Sequence, residues 1–193
     1  KTFTGAFTTG VNDTGVDVKF FGASAGAFSL WDESADKLIL QGATAAGPGL
    51  ILLSTGETTV VDSDIIGRIE FSAPLEGSGT DAVLPGAAIW AEADATFDAS
   101  TNTTDLVFAV ATSATAVGAG VLRLTATALT PETTDVLSLG TTSLNFSDAF
   151  FDSGAVINFD SGDVTLTHSS NALTVTGGAF AAEGLTSTTY TAS

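Results

Sequence analysis

The stretch 90–94 holds the carboxylates best placed to do chemistry. Trp90, Glu92 and Asp94 alternate with two alanines, so an extended strand would place all three side chains on one face. Residues two apart in a strand stand roughly 6.5–7 Å apart, near the lower limit for the two carboxylates of an inverting glycosidase. The alternative is a solvated strand face whose tryptophan packs against a neighbour. We favour this alternative, because productive carboxylate pairs usually come from different strands, and we predict that the chain is not an enzyme.

The sequence contains one histidine, His168, and thus one ordinary acid–base group that titrates near neutral pH. It is in phase with Val164 and Leu166, a pattern that points its side chain towards a core or an axis between chains. Ser169 and Ser170 follow directly, but adjacency along the chain does not fix the geometry of a catalytic triad. We predict a structural or exposed residue.

Aspartates concentrate in the predicted turns. Turn carboxylates and backbone carbonyls can together supply the six to eight oxygens that calcium takes. No cluster follows the twelve-residue EF-hand pattern, and capping of turns by aspartate is the interpretation we favour. We therefore predict no cofactor and keep calcium as the alternative, with Asp32, Asp36, Asp160 and Asp163 as its candidate ligands. The full clusters are Asn12, Asp13 and Asp17; Asp32, Glu33 and Asp36; Asp62 and Asp64; Asp160 and Asp163.

Composition excludes several classes of partner. The 193 residues include 22 acidic and 5 basic side chains, for a formal net charge of -17. Binding to nucleic acid requires clustered lysine and arginine, and an anionic membrane surface attracts the same residues, so both partners are excluded. Cysteine is absent, which excludes disulfides, thiolate zinc sites and a thiol nucleophile. The charge keeps a chain that is 44% hydrophobic in solution.

Alternation with a period of two predicts an all-β fold. Glycine is too frequent for long helices, with 21 residues, and no stretch has helical apolar spacing. Short apolar runs alternate with turn tokens such as 76–79 and 160–163. The runs are Ile65, Gly67, Ile69 and Phe71; Leu106, Phe108 and Val110, with Val107 and Ala109 on the other face; Val164 and Leu166; Leu173 and Val175.

A weak internal repeat indicates three segments. The stretches 34–40 and 169–175 share the order serine, small, Asp or Asn, any, leucine, any, aliphatic. Each is consistent with a hairpin whose Asp or Asn occupies the turn. We predict a short-stranded, sandwich-like middle domain over 64–127, with hairpin-rich flanks over 1–63 and 128–193. Because an isolated hairpin is marginal in water, we expect the flanks to intertwine with other copies in a trimer, burying Val164, Leu166, Leu173 and Val175.

Several stretches resemble a known family. Residues 14–22, 30–36, 147–159 and 162–171 are similar to segments of phage tail-fibre-like proteins, especially those of marine phages. The middle, 67–74 with 106–108 and 122–125, looks like a module that often precedes the C-terminal chaperone domain of a fibre. The resemblance implies a trimeric, β-rich fibre or appendage and carries over no catalytic residue.

These observations lead us to expect a structural bacteriophage protein: a homotrimeric fibre or surface appendage on the outside of the virion. Its expected partners are its own copies, other virion proteins, and a host-surface glycan or receptor at host attachment. Three alternatives stay open at this point. They are a capsid decoration protein, a polysaccharide-cleaving tailspike that uses Glu92 and Asp94, and a cell-surface filament subunit or adhesin.

Overall fold

A computed structural model of the chain describes residues 4–111 and 120–178. The fold is all-β, with 37% strand in three antiparallel sheets. The described part holds two single-turn 3-10 helices, Asp81–Val83 and Asp160–Gly162, and no α-helix. None of the described helices is long and apolar enough to cross a membrane. The all-β prediction is confirmed.

The first sheet is a three-stranded meander near the N-terminus. Its strands follow chain order: β1 Val18–Phe21, β2 Phe28–Asp32 and β3 Lys37–Gln41. Asp36 closes the β2–β3 turn with a φ of 48°, in the left-handed region that Asp and Asn tolerate better than most residues. The Asp32 carboxylate accepts hydrogen bonds from Ser34 Oγ at 2.8 Å and from the Ala35 amide at 3.2 Å. The predicted hairpin, with Asp in its turn, is confirmed.

A second three-stranded meander lies in the C-terminal part of the chain. It consists of β9 Val156–Phe159, β10 Val164–Ser169 and β11 Ala172–Thr176. Ser169 pairs with Ala172, which leaves a two-residue turn in which Asn171 has a φ of 60°. Asn171, like Asp36, is the last residue of its turn and has a positive φ. The internal repeat thus corresponds to two hairpins, with a four-residue turn over 33–36 in the first and a two-residue turn over 170–171 in the second.

The middle of the chain forms a five-stranded sheet whose strands also follow chain order. A β-bulge between Ile65 and Gly67 interrupts the register of its first strand. Gly86 donates its amide to Phe71 O at 2.9 Å, so the strand after Pro85 starts beside the end of the first. The strands are β4 Ile65–Phe71, β5 Ala87–Ala93, β6 Thr104–Val110, β7 Gly120–Leu124 and β8 Leu129–Pro131.

Burial alternates along β6 and separates two faces of this sheet. Asp105, Val107 and Ala109 are buried, whereas Leu106, Phe108 and Val110 are at least a third exposed. The buried side continues on β5 with Ala88 and Trp90. Val107, at 0% exposure, is the largest fully buried side chain among the described residues.

The organisation of the middle differs from the expectation in two respects. Its described strands form one sheet, so the two facing sheets of a sandwich are not present there. Strand β8 hydrogen-bonds to β7 and extends the sheet to Pro131, beyond the predicted boundary at residue 127. By internal contacts the chain divides into compact units over 1–137 and 138–193. Of the predicted segment 128–193, residues past 178 lie outside the described part.

Replacing Val107 with alanine tests whether its face is the core. Removing two buried carbons and leaving a cavity should lower the free energy of unfolding by about 2 kcal/mol. Urea titration at a fixed protein concentration measures this cost. Leu75→Ala is the control, because Leu75 is 97% exposed and its truncation should change stability by less than about 0.5 kcal/mol. Equal costs for the two variants would place the core elsewhere.

Candidate functional site: the charged face of the five-stranded sheet

One cross-strand row organises the buried side of the sheet. Arg68 on β4 pairs with Trp90 on β5, Trp90 with Val107 on β6, and Val107 with Arg123 on β7. In an antiparallel sheet, residues directly opposite each other lie on the same face. Two arginines therefore flank a tryptophan and a valine on one surface. We call this surface the charged face.

Arg123 is bound by three carboxylates. Its Nη2 lies 2.8 Å from Glu92 Oε1, its Nη1 3.0 Å from Asp105 Oδ2, and its Nε 2.8 Å from Glu132 Oε1. Strands β5 and β6 bring Glu92 opposite Asp105, and Glu132 follows directly after β8. The planar guanidinium presents donors in several directions at once, which lets one arginine serve three acceptors.

Burial makes the Asp105 contact the most consequential of the three. The Asp105 side chain is 5% exposed, against 19% for Glu92 and 26% for Glu132. A buried carboxylate without a partner is costly, so Asp105 requires the guanidinium. Partial burial acts to lower the pKa of Arg123, but hydrogen bonds with Glu92, Asp105 and Glu132 outweigh it and raise that pKa above its ordinary value. Arg123 stays charged at every pH at which the protein is folded.

Trp90 connects the two arginines. Its Nε1 donates to Glu92 Oε2 at 3.0 Å, and the Arg68 guanidinium carbon lies 4.6 Å from its ring centroid. Trp90 is 4% exposed, so the indole N–H needs this partner. Arg68 Nε also lies 2.7 Å from Glu70 Oε1. The two groups are close but poorly aligned, and Arg68 Nε and Nη2 are therefore buried without a well-formed hydrogen bond.

Of the predicted pair of carboxylates, only Glu92 belongs to this cluster. One Glu92 oxygen binds Arg123 and the other binds Trp90, so both have partners within the chain. The shared face of Trp90 and Glu92 is confirmed by their hydrogen bond. Asp94 is exposed and lies just after β5, where its amide donates to Thr103 O at 3.0 Å. A carboxylate saturated by protein donors is typical of a structural ion pair, and the catalytic role of Glu92 and Asp94 remains an untested alternative.

The turn aspartates bind backbone amides. Asp32 caps the β2–β3 turn, and Asp64 Oδ2 accepts from the Val61 amide of its own turn at 2.6 Å. Asp17, just before β1, instead accepts from the Glu33 amide of the β2–β3 turn at 3.0 Å. In another turn, hydrogen bonds from the Ser100 amide and hydroxyl lower the pKa of Asp98. These contacts are those of turn capping.

The calcium candidates lie in two separate hairpin regions. Asp32 and Asp36 belong to the β2–β3 turn, whereas Asp160 and Asp163 begin and end the 3-10 turn between β9 and β10. Asp160 has a φ of 42°, and its carbonyl accepts the Asp163 amide at 3.2 Å. Within residues 4–111 and 120–178, no group of three or more His, Cys, Asp or Glu is placed to hold a metal.

His168 is exposed on β10, opposite Leu173. Its amide donates to Ala155 O at 3.0 Å. Val164 and Leu166, in phase with it, are half-buried, so exposure increases along the strand towards the histidine. Ser169 and Ser170 are exposed as well.

Sequence reasoning missed Arg123, Asp105 and Glu132. A signal was present for Asp105, because this aspartate is in phase with Val107 and Ala109 along an apolar run. A charge in the buried phase of a strand requires a partner of opposite charge, and the chain has two arginines to offer. No sequence signal identifies Glu132, which reaches Arg123 only because β8 folds beside β7.

No known protein family, curated protein or solved structure matches this chain. The charged face holds one guanidinium against three carboxylates, with a tryptophan whose N–H is already paired. The contacts of Arg123 join β7 to β5, to β6 and to the residue that follows β8.

Replacing Arg123 with methionine tests the role of this cluster. The change leaves Asp105 buried and unpaired, so we expect the free energy of unfolding to fall by about 3–5 kcal/mol. Lys37→Met is the matched control, since it removes the same charge from an exposed position and should cost less than about 0.5 kcal/mol. Chemical denaturation measures both. A loss no larger than that of the control would mean that Arg123 does not hold the sheet together.

Removal of divalent ions tests the calcium alternative. If the carboxylates only cap turns and are screened by salt, sodium chloride alone should restore the melting temperature of a chelator-treated sample at low salt. Thermal melts with added sodium chloride or with micromolar calcium separate the two cases. Recovery only with calcium, at concentrations too low to change screening, would identify a metal site among the turn aspartates.

Proposed function

We propose that this chain is a structural protein of a bacteriophage particle, a trimeric fibre or surface appendage exposed on the virion. The proposal is supported by the resemblance of stretches 14–22, 30–36, 147–159 and 162–171 to tail-fibre-like proteins. It is also supported by the all-β architecture, in which two hairpin meanders accompany a larger sheet. The surface of the single chain is the observation that carries it.

The described part of the chain leaves more large apolar side chains in water than a self-sufficient monomer does. The hydrophobic residues buried in the described part are few: Ala88, Trp90, Ala93, Val107 and Ala109. Large apolar side chains are exposed instead, including Leu52 at 85%, Leu139 at 87% and Phe150 at 93%. Such a surface is expected of a chain that completes its core by assembling with others.

The charged face supports a structural role over a catalytic one. Catalytic acids and bases need a free position for proton transfer. Glu92 offers none, because Arg123 binds one of its oxygens and Trp90 binds the other. The ion pairs of Arg123 with Glu92 and Asp105 instead join strands β5, β6 and β7.

The charge of the chain supports a place on the outside of a particle. A net charge of -17 with 5 basic residues opposes contact with packaged nucleic acid and with anionic membranes. The same charge keeps an apolar surface in solution until copies meet. A host glycan or receptor is the expected target of the exposed end of such an appendage.

Sedimentation velocity of the purified chain tests the assembly. We expect a species of three times the chain mass at micromolar concentration, because a single chain leaves its apolar surface in water. The mass should persist or increase as sodium chloride screens repulsion between the acidic copies. A stable, folded monomer throughout the series would contradict the proposal.

Immunogold labelling of purified particles of the phage that encodes the chain tests its position. We expect label on the tail or on fibres that project from the particle. Label spread evenly over the head would identify a capsid decoration protein instead. Absence of label from intact and opened particles, with positive control labelling of a known virion protein, would remove the virion assignment.

A further inference from the structure

The second face of the five-stranded sheet bears apolar side chains, and most of the large ones remain partly exposed in the single chain. Its central row joins Ile69, Ile89, Phe108 and Leu122 across four strands. Six large side chains on this face are between 36% and 55% exposed. We call this surface the apolar face; the six are Ile69, Phe71, Leu106, Phe108, Val110 and Leu124.

No strand residue of the apolar face is ionisable. The charged residues of β4 to β7 all lie in the opposite phase, on the charged face. This separation matters because each copy carries a net charge of -17. Copies that meet through the apolar face keep the carboxylates of both sheets away from the contact, where like charges would cost the most.

One end of the apolar face already accepts apolar side chains. The stretch 51–53 lies over Gly67, where a Cβ placed on the glycine would stand 2.7 Å from Leu53 Cβ. A groove of about 270 Å³ opens beside it, and Leu53, Gly67, Ala91 and Leu106 are among its lining residues. The sheet is thus shaped for packing by aliphatic residues.

We propose that the apolar face is the contact surface between copies of this chain, and this inference rests on the proposed trimeric assembly. The six exposed side chains leave roughly 500 Å² of apolar area per chain, so three such faces that meet around one three-fold axis would together bury about 1,500 Å². The face offers no charge to attract a basic or acidic partner. A matching partner must bring an uncharged apolar sheet, and every further copy of the chain brings one.

A carboxylate introduced at the centre of the apolar face, with the same charge in a loop as the control, tests the inference. Phe108→Asp places a carboxylate in the central row and should weaken association at least tenfold, which sedimentation velocity would register as dissociation to folded monomers. Leu75→Asp adds the same charge at a residue that is 97% exposed in a loop, and its assembly should match the unmodified chain.

Labelling of single cysteines gives a readout that does not depend on a disruptive charge. The chain contains no cysteine, so Val110→Cys and Leu75→Cys each carry one thiol. Val110 is 55% exposed in the single chain. Maleimide should therefore modify Val110→Cys at least tenfold more slowly than Leu75→Cys in the assembly, and at similar rates after denaturation.

The outcomes separate this inference from the proposed function. If the unmodified chain is monomeric, the assembly fails and the interface fails with it. If it is oligomeric but Phe108→Asp stays assembled and Val110→Cys reacts as fast as Leu75→Cys, copies meet elsewhere and only the interface is overturned. If Phe108→Asp unfolds, the labelling rates decide. Protection of Val110→Cys only in whole particles would assign the face to a different virion protein, against the inference.

Discussion

The guanidinium of Arg123 lies within 3.0 Å of oxygens from Glu92, Asp105 and Glu132. These contacts join Arg123 on β7 to β5, to β6 and to Glu132, which follows β8. Asp105 could not remain buried without them, because a carboxylate removed from water needs compensating donors. The burial of Val107 and Ala109 beside Asp105 on β6 depends in turn on this arrangement. The buried side of strands β5 to β7 therefore depends on one basic residue.

Because successive side chains of a strand point to opposite faces, the residues that pair with Arg123 all lie on one face of the sheet. Charges gather on one face, where they neutralise each other at short range, and the strand residues of the other face are all uncharged. For a chain with few basic residues this is an economical use of arginine, since Arg68 and Arg123 serve the same surface. The uncharged side is then free of like-charge contacts at short range.

Sequence patterns among neighbouring residues predicted strands and turns of this protein correctly, whereas contacts between residues distant in the sequence could not be predicted. Alternation located β4 and β6, and the Asp and Asn of the repeat located two hairpin turns, because both depend on neighbouring residues. Alternation cannot say which apolar face is buried. Leu106 and Phe108 are larger than Val107 and Ala109, yet the smaller pair is buried, because it packs with Trp90 and lies beside the Arg123 cluster. Strand β8 has only three residues, one of them a proline, which is too short to show an alternating pattern. Neither this strand nor the contact of Glu132 with Arg123 could therefore be predicted from the sequence.

All three sheets have their strands in chain order, so every hydrogen-bonded pair joins consecutive strands. Contacts that are local in sequence favour rapid folding, because little loop entropy is lost before each pairing forms. A sheet of this kind can form on a single chain as synthesis proceeds, ahead of any encounter with another copy. The period between folding and encounter is when aggregation through the uncovered leucines and phenylalanines would be most damaging. The high negative charge of the chain acts in that period, by slowing indiscriminate collisions until aligned copies meet.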